Sequence, residues 1–301
     1  MKGLRRTIAA GLAFALAAIV AAAAYAGPAG HHATSKATII LGTKDFTEEF
    51  VLGQLYKQAL QAKGYKVVYK ENIGSTEIIN TALTSGKINA YPEYIGEVVQ
   101  TVFHQTKLPP TAHGWWALGK KLEEQKGYTL SNATPFYDVD AIAVRKADAA
   151  KYHLVNVADL AKVPNASIGA RPEFKSREEG FKGMQDVYHL TKMKYVSIPT
   201  GLTYQALDQK KVFCINVFST DAPLSTGKYV VLKDPKLVFG VQNVAVVIKK
   251  SVATPDVLKV LNAVSAKLSQ QAIVAMNVAT QLNKKTPSSV AHAFLQANGL
   301  L

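Results

Sequence analysis

The chain has 301 residues, with 35 Lys and Arg against 21 Asp and Glu, so its formal net charge is +14. Hydrophobic residues make up 48% of it, which excludes an intrinsically disordered chain and allows one large domain or two ordinary ones. The single cysteine, Cys214, excludes a disulfide framework. The excess of basic residues suggests a nucleic-acid or membrane-surface partner, which would require these residues to cluster on one surface.

The first 26 residues have the anatomy of a cleavable secretory signal. Basic residues near the N-terminus are followed by an uncharged apolar stretch from Ile8 to Ala24. Ala24 and Ala26 then offer small side chains at the two positions that a signal peptidase reads. We expect cleavage after Ala26 and a periplasmic protein, with an uncleaved membrane anchor as the alternative. Residues 27–36 are predicted to form a flexible leader.

Apolar strand-like runs alternate with amphipathic helical stretches from residue 37 onward. The first three predicted strands lie at residues 37–41, 66–71 and 88–91, with a helix after each of the first two. Pro92 is expected to end the third strand, because proline cannot donate a backbone hydrogen bond. This order indicates a parallel sheet that is covered by helices on both faces.

The same alternation of strands and helices recurs after residue 139, which divides the chain into two structural units. We predict the α/β class with two lobes, each built around its own sheet. The first lobe is predicted to comprise residues 37–138 together with residues 244–301, and the second residues 139–243. The last part of the chain is predicted to be helical and to return to the first lobe.

The sequence lacks the common signatures of catalysis. No phosphate loop, dinucleotide fingerprint, nucleophile elbow or zinc-binding H-E-x-x-H is present. Cys214 lies in an apolar run, which favours a buried structural thiol over a nucleophile. The seven histidines lack metal-ligand spacing, and the lysines are scattered without an aromatic-and-arginine stripe. We therefore expect no catalytic residue, no metal, no cofactor and no nucleic-acid partner.

Several short blocks follow one another in a telling order: Gly42–Glu48 (GTKDFTE), Asn72–Ser75 (NIGS), Tyr91–Gly96 (YPEYIG), Arg177–Gly180 (REEG), Tyr204–Leu207 (YQAL) and Ser219–Asp221 (STD). In this order they resemble the osmoprotectant-type substrate-binding proteins of ABC importers, which capture glycine betaine, choline, carnitine and relatives. The resemblance covers essentially the whole chain after the leader. It implies a two-lobed type II periplasmic binding fold with an interlobe cleft, a monomer, and permease and ATPase partners in separate chains.

The resemblance also implies a set of ligand-binding residues. The family holds a quaternary ammonium against aromatic faces and a carboxylate against cationic side chains. By motif, Lys44 matches the family's carboxylate-binding lysine, and Arg177 matches an arginine contributed by the second lobe. Tyr94 matches one aromatic residue of the ammonium cage, and Phe218 matches another that has lost its hydroxyl.

Three positions depart from the family pattern. Asp140 and Gln242 stand where the family usually has cage tyrosines, and Glu97 replaces a threonine. Losing two aromatic faces at about 0.5–2 kcal/mol each weakens a quaternary-ammonium site, whereas the new oxygens accept N–H donors. The predicted ligand-binding set is Lys44, Tyr94, Glu97, Asp138, Asp140, Arg177, Phe218 and Gln242. Its ligand is predicted to be a quaternary-amine osmoprotectant or a related zwitterion.

Several alternatives remain open at this point. The ligand is either of the betaine or choline type, with Tyr137 supplying a ring to a rearranged cage, or an amino-acid-like or amidine-like zwitterion whose N–H donors face Asp140 and Glu97. The charges could also neutralise locally, with Lys44 paired to Glu97 and Asp140 to Arg177. From other classes, a secreted hydrolase or transferase on the same scaffold would need a nucleophile–base pair. A secreted basic adhesin would need a contiguous basic face.

Overall fold

The computed structural model describes residues 36–301, and the predicted signal peptide and residues 27–35 of the leader lie outside the described residues. The strands of this part are β1 (Ile39–Gly42), β2 (Val67–Lys70), β3 (Ala90–Tyr94), β4 (Tyr128–Leu130), β5 (Asp140–Arg145), β6 (Ser167–Ala170), β7 (Lys194–Ser197), β8 (Cys214–Phe218), β9 (Tyr229–Leu232) and β10 (Val244–Lys249).

The α-helices cover the sheets and are α1 (Thr47–Ala62), α2 (Thr76–Thr84), α3 (Ala112–Gln125), α4 (Lys146–Tyr152), α5 (Phe181–Tyr188), α6 (Thr203–Asp208), α7 (Pro255–Ser265), α8 (Gln270–Asn277) and α9 (Pro287–Ala297). Short π-helical turns lie at Glu97–Val102 and Val278–Leu282, and short 3₁₀ turns at Val157–Lys162, Pro172–Lys175 and Ala222–Thr226. No helix between residues 36 and 301 has the length and apolar character that a membrane crossing requires.

Two five-stranded sheets form two lobes, which confirms the predicted α/β class. The first sheet has the strand order β2-β1-β3-β10-β4, and the second has the order β7-β6-β8-β5-β9. Each sheet has a parallel part, β2-β1-β3 in one and β7-β6-β8 in the other. Strands β10 and β5 run antiparallel to their neighbours, so the expectation of wholly parallel sheets is wrong.

Strand β3 continues through Pro92 to Tyr94, which corrects the expectation that this proline ends the strand. Pro92 lies opposite Val246 of β10. Val246 directs its own backbone N–H and C=O to Ser131 on its other side, so it requires no N–H from Pro92. Within residues 36–301, strand β1 pairs with β3 at Ala90, and this pairing does not extend to Pro92.

The core of the first lobe lies between its sheet and the helices at the two ends of the chain. The apolar face of α1 buries Val51, Leu52 and Leu55 against residues of α7, α8 and α9. This packing explains why the C-terminal helices return to the first lobe. The core of the second lobe gathers around Ile168 of β6 and Phe174.

Two connecting segments cross side by side between the lobes. Tyr137 and Asn243 form an isolated antiparallel bridge, and the backbone N–H of Asp138 donates to the carbonyl of Gln242 over 3.1 Å. The chain therefore enters the second sheet at β5 and leaves for β10 at neighbouring points in space.

Candidate ligand-binding cleft

All eight residues of the predicted ligand-binding set line one cavity of about 430 Å³ between the lobes, its mouth included. They are Lys44, Tyr94, Glu97, Asp138, Asp140, Arg177, Phe218 and Gln242. Positions that lie far apart in sequence are therefore brought to one place. Their role in binding a ligand remains a prediction.

The topology explains why these side chains meet. Lys44 follows the carboxyl end of β1, Tyr94 is the last residue of β3, and Phe218 is the last residue of β8. In open α/β sheets, ligand-binding side chains collect beyond the carboxyl ends of the parallel strands. The antiparallel strand β5 begins at this edge, which brings Asp140 to the same cavity.

Three aromatic rings line the cavity. Phe46 of the first lobe stacks on Phe218 of the second with ring centroids 4.9 Å apart. The rings of Phe46 and Tyr94 lie 6.1 Å apart. Phe46 was not in the predicted set, although it stands two residues after Lys44 in the first motif block. It adds a third aromatic face to the cavity, whereas the departures at Asp140 and Gln242 had predicted a loss of aromatic faces.

Lys44 is buried and makes an ion pair that the sequence did not predict. Its Nζ donates to Glu93 Oε1 over 2.5 Å and lies 4.3 Å from the centre of the Tyr94 ring. Burial alone would lower the pKa of Lys44, but attraction to Glu93 and then to Glu49 outweighs burial and raises it. The alternative in which Lys44 pairs with Glu97 is therefore wrong, because Lys44 pairs with Glu93.

Arg177 reaches from the second lobe to carboxylates of the first. Its guanidinium donates to Glu97 Oε1 over 2.9 Å and to both carboxylate oxygens of Glu77. Burial opposes the ionisation of Glu97, but Arg177 lowers the pKa of this carboxyl below its ordinary value. Glu97 is therefore occupied by a protein cation and is not a free acceptor.

Asp140 is paired with Arg171, a residue that the sequence analysis missed. The guanidinium donates at two points, over 2.7 and 2.9 Å, and one of its nitrogens also donates to Asn216. The alternative in which Asp140 pairs with Arg177 is therefore wrong. A signal was available, because Arg171 directly follows the carboxyl end of β6. Its guanidinium carbon also lies 5.1 Å from the centre of the Phe218 ring.

Two buried oxygens of the cavity wall have no hydrogen-bond partner among residues 36–301. They are Asp138 Oδ2 and Gln242 Oε1, in side chains that are only 3% exposed. The other oxygen of Asp138 accepts hydrogen bonds from Ser219 Oγ and the backbone N–H of Thr220. Burial, and then the nearby Glu48, raise the pKa of Asp138 well above its ordinary value. Gln242 Oε1 can accept an N–H donor from a ligand, and so can Asp138 Oδ2 when its carboxyl is ionised.

The buried carboxyl group of Glu48 connects residues of both lobes to the ring wall, which is formed by Phe46, Tyr94 and Phe218. Glu48 accepts hydrogen bonds from the hydroxyl of Tyr94 over 2.7 Å and from Thr220 Oγ1 over 2.6 Å. It also accepts a bond from Asn277 Nδ2 over 2.7 Å. Tyr94 and Asn277 belong to the first lobe and Thr220 to the second. The orientation of the Tyr94 ring is thus tied to the contact between the lobes.

The cavity is acidic although the whole chain is basic. Five acidic and three basic residues line it among the described residues. Below Lys44, burial raises the pKa of Glu49 to about 8. Tyr137 is 52% exposed and does not line the cavity, so the alternative in which it supplies a ring is wrong. An acidic wall with ring faces attracts a cationic group, while the arginines and Lys44 attract a carboxylate.

Comparison with known proteins gives a family match that covers most of the chain. The family described as the substrate-binding domain of the ABC-type glycine betaine transport system matches residues 37–297. A glycine-betaine-binding protein of Pseudomonas aeruginosa is 30% identical over 278 residues, covering 88% of this chain and 89% of that protein.

Two further relatives bear on the fold and on the range of ligands. The Helicobacter pylori (strain G27) ergothioneine transport permease/ergothioneine binding protein EgtU is 27% identical over 302 residues, which are 98% of this chain. The match covers 54% of that protein, so this chain spans about half its length. A crystal structure of a glycine betaine/carnitine/choline ABC transporter superposes with a TM-score of 0.69 at 22% identity, covering 87% of this chain and 99% of that one. The expected type II periplasmic binding fold is thereby confirmed, and the chain belongs to the family of substrate-binding domains of ABC-type glycine betaine transport systems.

Proposed function

We propose that this chain is an exported receptor that captures a small zwitterionic or cationic quaternary amine and delivers it to an ABC importer. The ligand class is that of glycine betaine, choline and carnitine. Closure of the two lobes around the ligand would present a single surface to a membrane permease, which an ATPase in another chain would drive. The binding functions of the relatives support this class.

The observation that carries the proposal is the composition of one cavity wall. The rings of Phe46, Tyr94 and Phe218 offer faces to an ammonium group that cannot donate hydrogen bonds. Arg171 lies over one of these rings and Lys44 over another, so cationic groups already occupy the ring faces. A ligand with both charges can replace these internal contacts. Its ammonium group takes the place of Lys44 or Arg171 at a ring face, and its carboxylate pairs with the displaced cation, so that no charge is left unpaired.

A second candidate is a zwitterion that also carries N–H donors. Asp140 and Glu97, which the sequence analysis proposed as acceptors, are occupied by Arg171 and Arg177. The unpartnered oxygens of Asp138 and Gln242 favour this candidate instead. Ergothioneine, whose transport names the Helicobacter pylori relative, belongs in the same test.

Further features complete the proposal. The receptor is a periplasmic monomer, released by cleavage after Ala26, with lobes of residues 37–138 plus 244–301 and residues 139–243. It has no catalytic residue, cofactor or metal, and no nucleic-acid partner. The buried Cys214 supports a non-catalytic role, because burial raises the pKa of its thiol and so suppresses the reactive thiolate.

A thermal-shift panel on the full-length chain tests the proposal. Glycine betaine, choline, carnitine, ergothioneine, arginine and proline are compared, each in large excess. We expect at least one quaternary amine to raise the melting temperature, because a ligand that binds only the folded state stabilises it. Tyr94→Ala should abolish the shift, whereas Tyr137→Ala, which removes an exposed ring outside the cavity, should preserve it. Stabilisation by arginine or proline alone would contradict the proposal.

A further inference from the structure

The cleft continues into a second compartment that the predicted ligand-binding set does not include. This space encloses about 1130 Å³, its opening included. Phe46, Phe218, Asp138 and Arg171 line both compartments, so the two spaces adjoin one another. The volumes of about 430 Å³ for the first compartment and about 1130 Å³ for the second both include space that is open to solvent. The second compartment is the larger of the two and provides room for a part of the ligand beyond its ammonium and carboxylate groups.

The walls of the second compartment are chemically specific. Four acidic residues line it, Asp45, Glu48, Asp138 and Asp221, together with the ring of Tyr204. Asp221 Oδ2 accepts hydrogen bonds from the hydroxyl of Tyr204 and the backbone N–H of Phe218, both over 3.0 Å. These two hydrogen bonds hold the Asp221 carboxylate beside the backbone of Phe218. Lys284 belongs to the lining, and its Nζ donates to the carbonyl of Gln281.

An independent observation points to a ligand at the boundary of the two compartments. Asp138 Oδ2 has no hydrogen-bond partner among the described residues, in a side chain that is 97% buried. A buried carboxylate oxygen without a donor is costly, and a ligand that supplies an N–H group there removes that cost. Glu48 and Asp221 add negative potential around the same oxygen. A cationic or N–H-bearing group therefore suits this position better than a carboxylate or an alkyl group.

We propose that the second compartment binds an N–H-bearing extension of the ligand, so that the substrate is a quaternary amine longer than glycine betaine with an additional ammonium or N–H group. The quaternary head lies against Phe46, Tyr94 and Phe218, and the extension passes Phe218 toward Asp138 and Asp221. This inference rests on the proposed function, because it assumes that the ring wall binds the quaternary head.

A matched pair of ligands tests the inference on the full-length chain. Nε-trimethyl-L-lysine carries a quaternary head and an α-ammonium group, and 6-(trimethylammonio)hexanoate has the same length without the α-ammonium group. In calorimetric titrations we expect trimethyl-lysine to bind at least about tenfold more tightly, because a hydrogen bond to a charged buried group contributes that much. Equal affinities for the two ligands would overturn the inference.

A matched pair of variants locates the effect. Asp221→Asn should remove most of the preference for trimethyl-lysine while the affinity for glycine betaine is retained. Asp208→Asn is the control, because Asp208 also accepts a hydrogen bond from a tyrosine, Tyr229, but does not line the second compartment. An equal loss for both long ligands in Asp221→Asn would overturn the inference. If glycine betaine binds and neither long ligand does, the inference fails alone; if no quaternary amine binds, the proposed function fails with it.

Discussion

Arg171 and Asp140 form a two-point ion pair inside the cleft, where the side chain of each is less than a tenth exposed. In the ligand-free protein, Arg171→Ala should lower the free energy of unfolding by about 3–5 kcal/mol, because it leaves Asp140 buried without its partner. Urea denaturation measures this loss. Lys182→Ala is the control, since the half-exposed Lys182 forms surface ion pairs and should change stability little. Equal effects of the two substitutions would contradict the assigned role of Arg171.

Glu49 makes the stability of the first lobe depend on pH. Burial raises the pKa of its carboxyl from an ordinary 4.5 to about 8, so the folded chain retains a proton that the unfolded chain releases in this range. The free energy of unfolding should therefore fall as the pH rises from about 5 to 8, by an amount on the order of a few kcal/mol. Lys44, whose backbone N–H donates to Glu49 Oε2, limits the fall by favouring the ionised carboxyl.

The comparison of two variants isolates this effect. In Glu49→Gln the fall with pH should be smaller than in the unmodified chain, and the remaining fall comes from other buried carboxyls such as Asp138 and Glu123. Glu71→Gln, which changes an exposed carboxyl, should follow the unmodified chain. Urea denaturation at pH 5, 6.5 and 8 gives the three curves. Parallel curves for Glu49→Gln and the unmodified chain would show that Glu49 is ionised throughout.

Single residues also show how far the sequence could predict this cleft. Lys44, Tyr94, Arg177 and Phe218 were predicted to share a cavity because short motifs carried them. Their pairing was not predictable, because Glu93, Glu97 and Asp140 compete for three cations, and the outcome depends on distances that only the fold sets. Arg171 was missed because it stands outside every motif block.

At the scale of secondary-structure elements, a single residue that caps a helix contributes measurably to the free energy of unfolding. Thr254 is the N-cap of α7, and its Oγ1 accepts a hydrogen bond from the backbone N–H of Val257 over 3.3 Å. Thr254→Ala should lower the free energy of unfolding by about 1 kcal/mol, because that backbone donor loses its partner. Urea denaturation of Thr84→Ala provides the control. Thr84 is also an exposed helix threonine, but its hydroxyl donates to a carbonyl within α2 and caps no donor.

Strands illustrate why some elements were predicted better than others. The strand cores at 39–42 and 244–249 have continuous apolar runs and were located within a few residues. Strand β3 extends beyond its expected end at Pro92 because β10, which is more than 150 residues later in the chain, supplies an antiparallel partner that does not need the proline N–H. The short strands β4 and β9 carry little periodicity of their own and form through pairing with β10 and β5.

At the scale of the whole molecule, hydrogen bonds between the lobes stabilise the closed cleft and so affect ligand affinity. Thr101 Oγ1 of the first lobe lies 2.5 Å from Glu179 Oε1 of the second lobe and 2.9 Å from Glu97 Oε2 of its own lobe, so its hydroxyl can donate to either carboxylate. Neither Thr101 nor Glu179 lines the cavity. Thr101→Val should weaken the binding of a quaternary amine up to about tenfold, because it destabilises the closed arrangement. Calorimetric titration measures the affinity, and small-angle X-ray scattering should report a larger radius of gyration without ligand.

Thr129→Val is the matched control for this prediction. The hydroxyl of Thr129 also donates to a glutamate, Glu124, but both residues belong to the first lobe. Its affinity and radius of gyration should equal those of the unmodified chain. An unchanged affinity in Thr101→Val would mean that this interlobe bond does not contribute to closure.

The charge of the whole chain is also easier to interpret once the cleft is known. A net charge of +14 suggested an anionic partner, yet acidic residues outnumber basic ones on the cavity wall. Composition averages over the surface and cannot report the local excess of carboxylates that the two sheet edges bring together. The cleft is therefore suited to a cationic head group despite the basic chain.

The central claim is that the ring wall of the cleft binds the ammonium group of a small zwitterion. Its most direct test is a calorimetric titration of the full-length chain with glycine betaine and with 3,3-dimethylbutanoate, in which carbon replaces the charged nitrogen at nearly the same shape. We predict that glycine betaine binds at least about tenfold more tightly, and that Phe218→Ala reduces this difference. Equal affinities of the two ligands, or no binding of either, would contradict the claim.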